Sequence, residues 1–189
     1  MISTKKELKE YLMADRLAMG FEKKSRIKEF LKGNIESVTL LNFLIFLRKY
    51  EFFLSKVSKK SIVYRIKYIY FKHKYARKRI KNNLFISPNT FGCGLRLVHP
   101  GYVWVDQSSK IGKNCTVLPR VLLGKKHPGI STPCIFIGDD CYIGTGATIL
   151  GPVHIGNNVT IAAGAVVVKD VPDNCIVAGN PAKIIKYKE

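Results

Sequence analysis

Acidic side chains are scarce in this chain: 13 Asp and Glu stand against 32 Lys and Arg in 189 residues, a formal net charge of +19. The deficit is concentrated at one end. Residues 1–83 hold 22 of the basic and 7 of the acidic groups, giving +15, and the remainder holds 10 and 6, giving +4. Paired cysteine spacing is also missing. Cys93, Cys115, Cys134, Cys141 and Cys175 are odd in number and form no C-x-x-C, which argues against a disulfide framework or a structural zinc site. They suit small core residues in a reducing cytoplasm. No run approaches the roughly 20 apolar residues of a membrane-spanning helix, and the opening MISTKKELKEYLMADR has no apolar core of the signal-peptide kind. The expectation is a cytoplasmic protein, soluble or held peripherally at the inner face of a membrane. Zinc-finger spacing, an RNA-binding aromatic signature and a leucine zipper are absent too, so no nucleic-acid partner is expected. The basic half points instead to an anionic membrane surface, a polysaccharide or another acidic ligand.

What is present is a strict repeat. Ile137, Ile143, Ile149, Ile155, Ile161 and Val167 stand six apart, and a small residue usually follows each. The same register runs back through Val105, Ile111, Val117 and Leu123, interrupted only over about Gly124 to Pro133. A six-residue period of branched aliphatics predicts a parallel β-helix, each face of a triangular coil taking one hexad, and an interruption predicts a surface excursion. The chain therefore divides into a basic α-helical region, 1–83, and a β-helix with a C-terminal tail, 84–189.

Three helices are predicted in the first region: about Thr4 to Leu31, Ser37 to Ser55 and Lys60 to Ile80. The third carries Tyr64, Tyr68, Phe71 and Tyr75 in one stripe, with Arg65, Lys67, Lys72, Lys74, Arg77 and Lys78 around it. That stripe suits packing on the second helix or capping the open end of the coil, and the basic face suits an anionic lipid or polysaccharide.

Chemistry is expected where titratable groups interrupt the apolar repeat. His99 lies in LRLVHPGYVWV, just before the regular hexads, and His127 lies in GKKHPG, within the interruption. A histidine pKa near neutrality suits proton transfer.

The run from Phe91 to Val105, the loop Gly124-Lys125-Lys126-His127-Pro128, the turns IGTGATILGPVHIGNNVTIAAGAVVVKDVP and the ending VAGNPAKII resemble the serine acetyltransferase-like branch of the hexapeptide acyltransferases. The resemblance covers about residues 84–186. It implies a left-handed parallel β-helix, a homotrimer and acetyl-CoA as donor, with no metal; the hand comes from the resemblance, because general rules for parallel crossovers favour the opposite one. It further implies that His99 is the general base toward an acceptor hydroxyl, and that His127 or an amide of its loop holds the acceptor or the developing oxyanion. Gly124, Thr145 and Ala163 become backbone contacts for coenzyme A, where small residues let a ligand approach closely. Lys125 and Lys183 become phosphate partners.

Two departures mark the chain off. Phe85 stands where the serine enzymes have an acidic residue that orients the histidine, and Val98 stands where they have an aspartate for the amino acid's amine. The His99 tautomer is then set by a backbone carbonyl, by another side chain such as Asp106, or not at all. With the basic N-terminal half, these departures shift the expected acceptor to a sugar hydroxyl of a capsular or other surface polysaccharide or its precursor. Serine O-acetylation is the alternative, and a non-catalytic hexapeptide-repeat binding protein a second. A hexapeptide-repeat carbonic anhydrase would need His99, His127 and His154 to converge on zinc, and their motif contexts do not match that branch.

Overall fold

Each hexad folds into one face of a triangular coil, so an inward aliphatic meets its counterpart three hexads later on the next coil. The computed structural model describes residues 1–21, 25–58 and 61–188. Its first face comprises β1 (Leu84–Ile86), β3 (Val103–Val105), β6 (Val121–Lys125), β9 (Thr148–Gly151) and β12 (Val166–Val167), in that order. A second face stacks β4 (Ser109–Ile111), β7 (Ile135–Ile137) and β10 (Val153–Ile155). The third stacks β2 (Arg96–Leu97), β5 (Thr116–Val117), β8 (Tyr142–Ile143), β11 (Thr160–Ile161) and β13 (Cys175–Ala178), with β14 (Lys183–Tyr187) added antiparallel at its end. All other pairings are parallel. Ile137 meets Ile155, Ile143 meets Ile161, and Ile149 meets Val167; each of the six is at most 4% exposed. The chain is a left-handed parallel β-helix preceded by α-helices.

The corners explain the residues between the aliphatics. Asn114, Asp140, Asn158 and Asn174 recur at the corner between the second and third faces with φ between 52° and 58°, a left-handed conformation that Asn and Asp tolerate. Close stacking demands glycine at the same corner: a Cβ on Gly138 would lie 2.5 Å from Asn157 Oδ1 and 2.7 Å from the Gly156 carbonyl carbon. After β6 the chain leaves the coil and rejoins it where the Cys134 amide bonds to the Ser108 carbonyl at 2.9 Å.

The N-terminal region forms α1 (Lys5–Ala18), α2 (Arg26–Leu31), α3 (Ile35–Leu54) and α4 (Ile62–Lys81). The single helix expected over Thr4 to Leu31 is thus divided. Gly20, at φ +76°, ends α1, and the Gly20 and Phe21 amides turn back to the Leu17 and Arg16 carbonyls. Residues 22–24, within that expected helix, and Lys60, the expected start of the last one, lie outside the described residues.

One continuous apolar cluster runs from Leu40, Phe43, Leu44 and Leu47 of α3 through Leu84, Phe91 and Leu95 into the coil interior. The helices therefore close the open end of the β-helix, which a solenoid needs for solubility. The aromatic stripe of α4 lies against α3: Phe71 stacks on Phe53 at 5.0 Å and Tyr75 on Tyr50 at 5.2 Å. The Tyr75 hydroxyl donates to the Ile86 carbonyl, and burial pushes its pKa up.

A buried ionic cluster fastens this cap. Arg48 donates from Nε to Asp15 Oδ2 (2.8 Å), from Nη1 to Glu51 Oε2 and the Phe91 carbonyl (both 3.0 Å), and from Nη2 to the Gly92 carbonyl (2.6 Å). Asp15 Oδ1 accepts the Gly94 and Leu95 amides, and Glu51 Oε1 accepts that of Asn89. One guanidinium thereby joins α1, α3 and the mouth of the coil.

Candidate functional site

The corner between the third and first faces gathers most of the expected site residues. His99 follows β2 on an early coil; below it, on successive coils, lie Pro119, Thr145 and Ala163. Thr145 Oγ1 donates to the Pro119 carbonyl at 2.8 Å, and the Gly164 amide donates to the Thr145 carbonyl at 2.8 Å, which ties these turns together. Thr145 and Ala163 are exposed, and their own amides take no backbone partner among the described residues. The column therefore offers N–H groups without backbone partners and with little side chain around them, a fit for the amide carbonyls of an extended pantetheine arm. Lys183 opens β14 opposite Ala178, at the end of this same corner.

His99 has a carboxylate beside it, and it comes from the helical cap. Glu36, in the first turn of α3, places Oε2 3.6 Å from His99 Nδ1, with the two side chains 67% and 64% exposed. That is ion-pair distance, longer than a hydrogen bond, and solvent weakens it at this exposure. Asp106 is not the partner. It sits at the corner between the first and second faces and accepts the Ser108 amide at 2.9 Å. Burial would raise its pKa, but the Ser108 hydroxyl and amide hold it below the usual value. Phe85 points outward from the first face, stacked on Trp104 at 5.5 Å beneath the Arg79 guanidinium at 5.0 Å.

Gly124, Lys125 and His127 lie at the opposite edge of the first face. His127 is exposed on the excursion, its Nδ1 3.1 Å from the Pro128 carbonyl. Lys125 Nζ bonds to the Ile130 carbonyl at 2.8 Å and Lys126 Nζ to the Val168 carbonyl at 2.7 Å, so both lysines brace the loop. A Cβ on Gly124 would meet only Leu122 Cδ2 at 3.5 Å, an ordinary contact, so nothing in its own chain requires glycine there. At a strand rise of about 3.3 Å per residue, the face separates this group from His99 by on the order of 15 Å. One protomer does not bring the two histidines together. His154 stands on the second face, stacked on Phe136 at 4.7 Å, and among the described residues no cluster of His, Cys, Asp and Glu could hold a metal ion.

Sequence reasoning missed Glu36. Its only local signal was an acid in a helical first turn, and nothing in the sequence ties that position to His99 on a coil far along the chain.

Residues 135–169 match the family model described as bacterial transferase hexapeptide (six repeats). Serine acetyltransferases recur among the similar proteins, alongside other acetyltransferases. Serine acetyltransferase 2 of Arabidopsis thaliana is 40% identical over 100 residues, 52% of this chain and 30% of the relative. A 2,3,4,5-tetrahydropyridine-2,6-dicarboxylate N-acetyltransferase of Clostridium perfringens is 54% identical over 66 residues, covering 35% and 28%. The chain thus spans only about a third of these relatives' length. Among solved structures, serine acetyltransferase of Brucella abortus in complex with coenzyme A superimposes with a TM-score of 0.70 at 26% identity, over 98% of this chain and 70% of that one. The Neisseria gonorrhoeae enzyme in complex with serine gives 0.65 at 28% identity, over 96% and 70%.

These findings correct the expected acceptor. Against the surface polysaccharide expected from Phe85, Val98 and the basic N-terminal half, serine acetyltransferases recur among both the relatives and the structural neighbours. The physical reason is that carboxylates missing at Phe85 and Val98 do not fix the substrate when another element, here α3, brings a carboxylate to 3.6 Å from the same histidine.

Proposed function

We propose that this chain is an acetyl-CoA-dependent serine O-acetyltransferase. The observation that carries the reading is the single corner on which His99, faced by Glu36, stands above the small-residue turns of Thr145 and Ala163. The solved enzymes that share this architecture hold coenzyme A in one case and serine in another.

In this mechanism Glu36 closes on His99 Nδ1–H and leaves Nε2 as the base. Nε2 takes the serine hydroxyl proton as the oxygen attacks the thioester carbonyl. The C–O bond forms, the tetrahedral oxyanion collapses, and the C–S bond breaks. The imidazolium then returns its proton to the departing sulfur, giving O-acetylserine and free coenzyme A. The pantetheine arm lies along the Thr145 and Ala163 amides, with Lys183 near the phosphate end.

Gly124, Lys125 and His127 reach the same site from a neighbouring subunit of a homotrimer, in which one chain's first-face edge meets the next chain's His99 corner. His127 there assists with the acceptor or the oxyanion. The trimer supplies a groove deeper than one flat face provides.

The test is thiol release from acetyl-CoA by the purified chain with L-serine as acceptor. Serine-dependent release is expected, and His99→Ala should lower it by about 10²-fold or more while coenzyme A binding by calorimetry stays intact. A trimer that binds coenzyme A but shows no serine-dependent release would overturn the reading.

A further inference from the structure

Helix α4 has two apolar faces, and only one of them is used. Tyr64, Tyr68, Phe71 and Tyr75 face α3. On the opposite side Ile62, Ile66, Ile69 and Tyr70 are 66%, 60%, 53% and 51% exposed, and Ile80 continues the line at 68%. At 100° per residue these positions form one stripe, unbroken from Ile62 to Tyr70 and interrupted before Ile80 by exposed His73 and Arg77, with exposed Arg65 and Lys72 along one border and Lys67 and Lys74 along the other.

The helix IVYRIKYIYFKHKYARKRIK contains eight Lys or Arg and no Asp or Glu. None of its cations enters an ion pair among the described residues. Lys78 shows the crowding: burial, then Lys81 and Lys74, hold its pKa below the ordinary value.

We infer that the outer face of α4 is a docking surface for an anionic lipid bilayer, its isoleucine stripe entering the acyl boundary and its bordering cations meeting the headgroups. A helix with an exposed apolar stripe between rows of Lys and Arg, here over its first three turns, is built to lie in that interface, and each basic group near an anionic surface adds attraction. Charge complementarity selects this occupant. A second copy of the chain would set eight cations of one α4 against eight of another, with no acid on either helix to offset them. A nucleic acid would meet the cations but give the isoleucines nothing apolar to contact. No described helix is long and apolar enough to cross a membrane, so the contact is with the surface. The inference is independent of the acceptor in the proposed reaction.

The test is flotation of the full chain with vesicles of phosphatidylcholine alone and with vesicles carrying about a third phosphatidylglycerol. Binding is expected only to the anionic vesicles and should weaken as salt is raised. An Ile66→Asn/Ile69→Asn variant should bind at least about tenfold more weakly, because two aliphatic side chains no longer leave water on docking. Both positions are exposed, so its circular dichroism and melting should match the parent. Failure of the parent to bind anionic vesicles would overturn the inference. So would undiminished binding by the variant, which would reduce the interaction to bulk charge. A loss of oligomer mass in the variant would assign the face to a second copy instead and would equally overturn it.

Discussion

Replacing Arg48 with methionine should be the most destabilising single change in the helical cap. The guanidinium is fully buried and its two carboxylate partners, Asp15 and Glu51, are 1% exposed. Burial by itself would pull the Arg48 pKa down, but Glu51 and Asp15 outweigh it and keep the group charged. Removing it leaves two buried carboxylates without a cation and strips the Phe91 and Gly92 carbonyls of their donors. Breaking a buried pair from one side costs about 3–5 kcal/mol. With a urea slope of about 1–3 kcal/mol per molar, the midpoint followed by circular dichroism should fall by at least about 1 M.

A midpoint shift below about 0.3 M would show that the carboxylates regain water cheaply and that the cluster does not fasten the cap.

Two further outcomes test the site. Glu36→Gln should lower kcat by about tenfold or more while leaving KM for acetyl-CoA unchanged, with Glu36→Asp restoring part of the loss; steady-state kinetics with both substrates would show this, and an unchanged kcat would remove Glu36 from the mechanism. Ala163→Trp places an indole on the exposed corner, and it should raise the acetyl-CoA KM by at least about tenfold with melting unchanged. An unaffected KM would move the pantetheine arm off this corner.

The architecture was readable because it depends on a local period. Ile137, Ile143 and Ile149 announce three faces in succession, and the Asn and Gly turns between them follow from close stacking of the coils. The candidate site came from the resemblance to the serine acetyltransferase-like branch; what the period adds is that Thr145 and Ala163, eighteen residues apart, occupy the same corner on successive coils. The acceptor was misjudged because Phe85 and Val98 were weighed as missing carboxylates, with no means of seeing which other acid would arrive. Glu36 and His99 belong to different elements, and their approach depends on how α3 is seated on the first coil by Arg48.

The hexads, the turn chemistry and the charge asymmetry are properties of neighbouring residues, so the chain's order alone determined the coil, its closing helices and the candidate histidines. The tertiary structure decided which groups meet across long stretches of chain: Glu36 with His99, Arg48 with Asp15 and Glu51, and His127 apart from His99. It also decided which side of α4 faces water, because the sequence contains both an aromatic and an aliphatic stripe and only packing against α3 selects between them.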